Sequence, residues 1–514
     1  MSDRADHVIV IGAGVAGLAT AALLVRDGKR VTVIDQNESV GGRAGSFEAD
    51  GFRWDTGPSW YLMPEAYDHF FDLCGAPRPQ LRDIQPAYRV LSSSEALDVH
   101  PGIDHVAALF EAIEPGAGDR IRAYLAQASK TYDIALAHFL YTTFSDPRTL
   151  LVPDVLSQLG LLARLLSQSL ARHAAGSFRD PRLRQILTYP AVFLSSEPAA
   201  APALYALMSH TDLVQGPKYP VGGFHGLVQA IADTASGAEF LLGEPVTAIT
   251  HEGRRATGVM LAGRHIAADA VVSAADLHHT ETALLPPELR TYPSSYFARR
   301  DPGLGTVLIF LGVRGSLPEL AHHTLLFSED WDPDFRAVYH GPEPTRPLDA
   351  SHSIYISKPS ASDDTVAPAG HENLFVLVPV PADASLGHGD AYHPQASTRV
   401  DAIADAAIEQ IASWAQIPDL ADRVVSRHTL GPADFTERYN AWHGGAIGPA
   451  HTLRQSAFFR GKNVSSKLEN LYYAGATTVP GVGVPMCLIS AENVLKRMHG
   501  DTTATPLSPE FFRR

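Results

Sequence analysis

The sequence predicts an α/β fold in which a parallel sheet is assembled from separated stretches of chain and interrupted by two long insertions. Three observations lead there. A β-branched run, His7 to Ile11, enters a glycine-rich turn, an alanine- and leucine-rich helical stretch from Leu18 to Asp27, and a second run, Arg30 to Ile34. Strand and glycine-turn patterns return near Lys218 and again near Asn470. The 514 residues exceed what one simple core holds.

The first element is a complete βαβ unit. His7 to Ile11 reads as a buried parallel strand. Gly12-Ala13-Gly14-Val15-Ala16-Gly17 follows, and Gly28 stands where a helix stop is expected. In such a Rossmann-like unit Gly12 permits the tight turn, Gly14 lets backbone approach a pyrophosphate, and Gly17 lets helix and strand pack closely. The helix start offers free N–H groups and a positive dipole end to phosphate. Asp35 closes the second strand where an acid accepts ribose hydroxyls, which disfavours a 2′-phosphate. Ala16 and Gln36, beside these positions, belong to the same expected site.

Val40-Gly41-Gly42-Arg43-Ala44 comes next, and Gly51-Phe52-Arg53-Trp54-Asp55-Thr56-Gly57-Pro58 shortly after. Paired glycines allow close backbone approach, and arginine supplies a charge-assisted donor to phosphate. These segments resemble the flavin-dependent amine oxidases and carotenoid desaturases. The resemblance implies FAD as cofactor, with Gly42 and Arg43 along the diphosphate and flavin, and Gly57 and Pro58 near the isoalloxazine ring. Under the same resemblance the stretch from Lys218 rebuilds the cofactor domain, and Val246 meets the adenine.

The third return is Asn470 to Pro485: a strand, Leu471 to Ala474, then Gly475-Ala476-Thr477-Thr478-Val479-Pro480-Gly481-Val482-Gly483-Val484-Pro485, then a helix from about Met486. A second helix start facing the cofactor stabilises negative charge. Gly475, Ala476, Gly483 and Val484 are the expected contacts. This stretch is similar to the signature of bacterial-type phytoene desaturases, as are Tyr219-Pro220-x-Gly222-Gly223, Leu320 to Thr324, and the runs Ala441 to Gly445 and His451 to Arg460. Ala476 stands where amine oxidases carry an acid, which argues against that branch. Thr477 and Val479 depart from the desaturase signature.

The resemblance implies a discontinuous FAD domain (1–78, 218–291 and 440–500), a helical lid or membrane-facing region (79–217), a mixed α+β substrate domain (292–439) and a C-terminal tail (501–514). Val155, Leu159, Leu162, Leu166 and Leu170 form one apolar helical stripe. A carotene has no polar handle, so its site must be long and apolar, and its affinity must come from buried area. Because it is collected from a bilayer, monotopic membrane contact is expected. The implied activity is desaturation of phytoene, with hydride transfer to flavin N5 and proton loss from the neighbouring carbon. Asp146 and His443 are the candidate acid/base residues, and oxygen or a quinone is the electron acceptor. Rival readings are a carotenoid isomerase, ketolase or hydroxycarotenoid desaturase, then a flavin amine oxidase or a non-catalytic prenyl-lipid escort protein.

A formal net charge of −15 excludes a general nucleic-acid binder. Two cysteines, Cys74 and Cys487, exclude a disulfide scaffold and show no metal-ligand spacing. No apolar run is long enough to span a bilayer. A cytoplasmic, peripherally membrane-associated protein is the resulting expectation, with a homo-oligomer left open.

Overall fold

The computed structural model describes residues 6–513; residues 1–5 and 514, at the ends of the first and last expected segments, lie outside them. The three separated stretches meet in one five-stranded sheet ordered Leu471–Tyr473, Ala270–Ser273, His7–Ile11, Arg30–Asp35, Glu239–Leu242. Every neighbouring pair is parallel. The central strands are apolar on both faces because both are covered: on one, Val15–Arg26 packs with Gly223–Thr234 and Val484–Met498 over Val8, Val10, Val31 and Val33. A three-stranded antiparallel layer, spanning Ala248–Glu252 to His265–Ala267, closes the other side with Ile249 and Val259.

A second, seven-stranded mixed sheet carries the rest. Its long centre is Leu304–Arg314 paired antiparallel with His371–Pro381 over eleven residues. Alternation divides the strand between two environments. Val307, Ile309, Leu311 and Val313 pack towards the helix Thr398–Trp414, whereas Leu308 and Phe310 join a cluster with Phe52 and Trp54.

Two expectations are corrected. Residues 79–217 are not uniformly helical: Leu81–Asp83, Tyr88–Leu91 and Ala96–Val99 are strands, and the latter two extend the seven-stranded sheet. The helical part begins at Ile103. The apolar stripe from Val155 to Leu170 is not one helix either. It breaks into Pro153–Ser157, Leu159–Ser167 and Leu170–Ser177, and the Ser169 hydroxyl caps the third by accepting from the Arg172 N–H. The breaks rotate the stripe: Val155 and Leu170 are buried while Leu159 is 53% exposed. The tail docks, with Leu507 donating its N–H to Glu492 Oε1 at 2.6 Å.

Candidate functional site: a continuous cavity from sheet to helical insertion

A cavity of about 730 Å³ begins at the carboxyl edge of the parallel sheet, crosses the face of the mixed sheet and ends among the helices. Gly12, Gly14, Ala16, Asp35, Gln36, Gly42, Arg43, Gly57, Pro58, Val246, Gly475, Ala476, Gly483 and Val484 all line it. Gly17 does not. A Cβ on Gly17 would stand 1.8 Å from the Gly12 carbonyl oxygen, so this glycine lets the helix reach the turn. Gly42 works similarly from the second loop: at φ +57° its Cβ would come within 3.1 Å of Gly14 Cα.

Two helix starts face the cavity, Val15–Arg26 behind Gly14 and Val484–Met498 behind Gly483. Neither has a side-chain cap or an acidic residue in its first turn. Their N–H groups and dipole ends are therefore left for an anion. Asp35 is fixed before any ligand arrives: Oδ2 accepts from the Ala13 N–H at 2.7 Å, and Oδ1 accepts from the Asn37 N–H at 2.7 Å. Gln36 reaches the cavity wall, but its amide is spent on protein. It donates to the Arg438 carbonyl at 2.7 Å and accepts from Asn440 Nδ2 at 3.0 Å.

The cavity wall carries buried polar atoms with no partner among the described residues: Arg43 Nε, Arg438 Nε, Thr56 Oγ1, Trp60 Nε1, Tyr67 OH and Thr306 Oγ1. Unpaired buried donors are costly unless a ligand completes them. Arg43 is otherwise held by Asp276 at 3.5 Å and by the Gly445 carbonyl at 3.4 Å. A wall of donors, two arginines and two open helix starts fits a dinucleotide with its phosphates and ring carbonyls. Cys487 stands in the first turn of the second helix, and burial pushes its thiol up to about 11, so it remains protonated.

Away from the sheet the lining turns apolar, with Phe139, Leu140, Phe193 and Leu207 among its residues. Its outer rim includes Leu166, Leu453, Phe458 and Phe459, each at least 39% exposed. His451 is the buried histidine of this wall. Its ring Nδ1 lies 3.1 Å from the Leu194 carbonyl, and burial holds it well below the ordinary imidazole range, so it is neutral.

Neither acid/base candidate lines the cavity. Asp146 caps a short 3₁₀ turn, accepting from the Arg148 N–H at 2.9 Å. His443 is exposed at φ +55°, with its ring beside Trp442. Cavity residues that sequence reasoning assigned no role are Trp60, Asp276, Tyr355, Arg438 and His451. His451 belongs to a run noticed only for its resemblance. The others carry no motif and meet only through folding.

The family model described as flavin containing amine oxidoreductase matches residues 15–498. The chain belongs to that family. This flavoprotein is an FAD-dependent oxidoreductase, closely related to the carotenoid desaturases. It is 38% identical to the carotenoid 3,4-desaturase of Haloarcula japonica, over 98% of this chain and all of that one. It is 34% identical to the phytoene dehydrogenase of Streptomyces griseus (97% and 96% covered) and 32% identical to the zeta-carotene-forming phytoene desaturase of Myxococcus xanthus (97% and 94% covered). In fold the flavoprotein is similar to an oxidoreductase from Methanosarcina mazei, with a TM-score of 0.63 at 15% identity over 95% of this chain and 100% of that one. Cyclohexylamine oxidase from Brevibacterium oxydans gives 0.60 at 16%, over 97% and 99%. No described helix is long and apolar enough to cross a membrane, and no described cluster of His, Cys, Asp or Glu could hold a metal ion.

Proposed function

We propose that the flavoprotein is a carotene desaturase, introducing double bonds into an acyclic carotene of the phytoene type. The carrying observation is the single cavity that joins a donor-rich end at the parallel sheet to an apolar passage rimmed by exposed leucine and phenylalanine. Relatives of at least 32% identity spanning the whole chain, named for desaturation of carotenoids or phytoene, support the same reading. In this reading Gly12, Gly14, Ala16 and Gly42 cradle the FAD diphosphate, and Asp35 receives the ribose hydroxyls. Val246 meets the adenine, Arg43, Gly57 and Pro58 border the ring, and Gly475, Ala476, Gly483 and Val484 close over it. FAD, when bound, supplies the hydride acceptor, and the substrate loses a proton from the adjacent carbon. The chain's own part is to orient an apolar rod by shape, exclude water with the apolar lining and keep ionised groups away from a delocalised cation. With Asp146 and His443 off the cavity, neutral His451, buried in its wall beside the apolar passage, is the residue we assign to receive that proton.

The rim also suggests where substrate enters. From Asn440 to Leu468 the chain has no acidic residue and carries exposed Arg454, Lys462 and Lys467, although the whole molecule is strongly acidic. Exposed Leu453, Phe458 and Phe459 lie in this run. A basic, apolar rim suits an anionic bilayer surface. Incubation with phytoene in liposomes and added FAD tests the function: new polyene absorbance supports it. A flavin-loaded protein that turns over neither phytoene nor a more desaturated acyclic carotene refutes it.

A further inference from the structure

Arg460 is buried, 4% exposed, behind the C-terminal glycine turn. Its guanidinium donates only to backbone carbonyls: Nε to Thr478 at 3.0 Å, Nη2 to Ala476 at 2.5 Å, and Nη1 to Pro449 at 3.3 Å and Gln455 at 3.2 Å. It makes no ion pair among the described residues. A charge taken out of water is retained when something compensates it. Four carbonyl dipoles do so in part, but no carboxylate does. Arg43, by contrast, has Asp276.

The position of the unbalanced charge is informative. Ala476 and the segment Val482–Cys487 line the main cavity, and Arg460 lines a second cavity of about 30 Å³ immediately behind them, with Thr477 and Gly461. Arg460 donates to the carbonyl of Ala476, and Arg43 lines the main cavity together with Ala476 and Cys487 of the first turn of the Val484–Met498 helix, so both charges border the wall that this helix start completes. Two cations and a helix N-terminus thus converge on one wall.

We propose that Arg460 supplies a fixed positive charge that compensates the negative charge FAD acquires on reduction, and so raises its reduction potential. When a substrate C–H bond breaks, both electrons and the hydrogen pass to the neutral flavin ring, which becomes a monoanion. The substrate is left a cation and loses a proton to complete the double bond. A carboxylate paired with Arg460 would cancel this effect; Asp276, which shares the second cavity with it, is paired with Arg43 instead. Preorganised charge of this kind acts without reorganisation. The inference rests on placing the flavin ring beside the Ala476–Cys487 wall, as in the proposed function.

The test uses FAD-loaded full-length protein: wild type, Arg460→Lys and Arg460→Met. Anaerobic redox titration gives the two-electron potential, and flavin content is measured in parallel. The expected result is that Arg460→Met lowers the reduction equilibrium constant at least tenfold, about 30 mV for a two-electron couple, while Arg460→Lys stays near wild type. Equal shifts in both variants would make Arg460 a geometric staple and overturn the proposal. So would a fall in FAD affinity with unchanged potential, which assigns the charge to the diphosphate. Should Arg460→Met fail to fold, the wild type decides. Its reduced flavin is expected to retain the anionic spectrum below the pH at which free reduced flavin protonates, and a neutral spectrum there overturns the inference. Protein that binds no FAD at all would instead refute the underlying reading of the cavity.

Discussion

At the level of single residues, side chains and backbone atoms with one geometric duty are the ones that sequence reasoning reached. Gly17 must lack a Cβ because the Gly12 carbonyl occupies its place. Gly17→Val is expected to cost about 3 kcal/mol or more through overpacking and to strip bound flavin, read by thermal melting and flavin absorbance per chain. Asp146 and His443 show the opposite case. Their neighbours in sequence suggested chemistry, but the fold puts both off the cavity. Asp146→Asn and His443→Gln are therefore expected to keep flavin content and turnover within about twofold, whereas His451→Phe should reduce kcat with flavin content intact; steady-state assays on liposomal carotene distinguish them. Trp60, Tyr355 and Arg438 were illegible for a plain reason: nothing local marks a residue whose role arises from convergence.

Among the elements, the first βαβ unit and the strand–turn–helix at the end were readable because their periodicity and glycine positions are set by local backbone geometry. The helical insertion was less so, since an apolar stripe does not record where a chain breaks. The short π-helical element His210–Gln215 was invisible in sequence, and it buries Asp212 under Tyr88 and Tyr189 at 3.3 and 2.7 Å. Burial raises Asp212 to about 7, the tyrosine hydrogen bonds only partly opposing it. A folded-state pKa above the unfolded value means that this carboxyl contributes its stability fully below about pH 4 and loses it as pH rises through 7. Asp212→Asn, which cannot ionise, should gain relative to wild type by up to roughly 4 kcal/mol across that window. Denaturant unfolding of both proteins at pH 4.5 and 8 measures it, and a pH-independent difference contradicts the shift.

For the molecule as a whole, the negative net charge and the basic rim make opposite demands on a membrane. If the rim docks on lipid, binding to anionic vesicles should weaken steeply with salt and nearly vanish on neutral ones. Phe459→Asp should reduce vesicle binding severalfold while leaving flavin content unchanged; co-flotation with vesicles reads both. The parallel sheet has one more consequence, and it concerns time. Its edge strand, Leu471–Tyr473, and the helix that completes the glycine wall follow both insertions in sequence, whereas the strand at the sheet centre, His7–Ile11, precedes them. A ribosome must deliver both insertions before the sheet can close. The nascent chain thus carries the apolar residues of the first insertion, such as Phe139, Phe193 and Leu207, unsealed and without cofactor, until the later segments arrive. Such a chain depends on chaperones or on early capture by lipid, and limiting FAD during translation should reduce yield more than removing FAD from the finished protein.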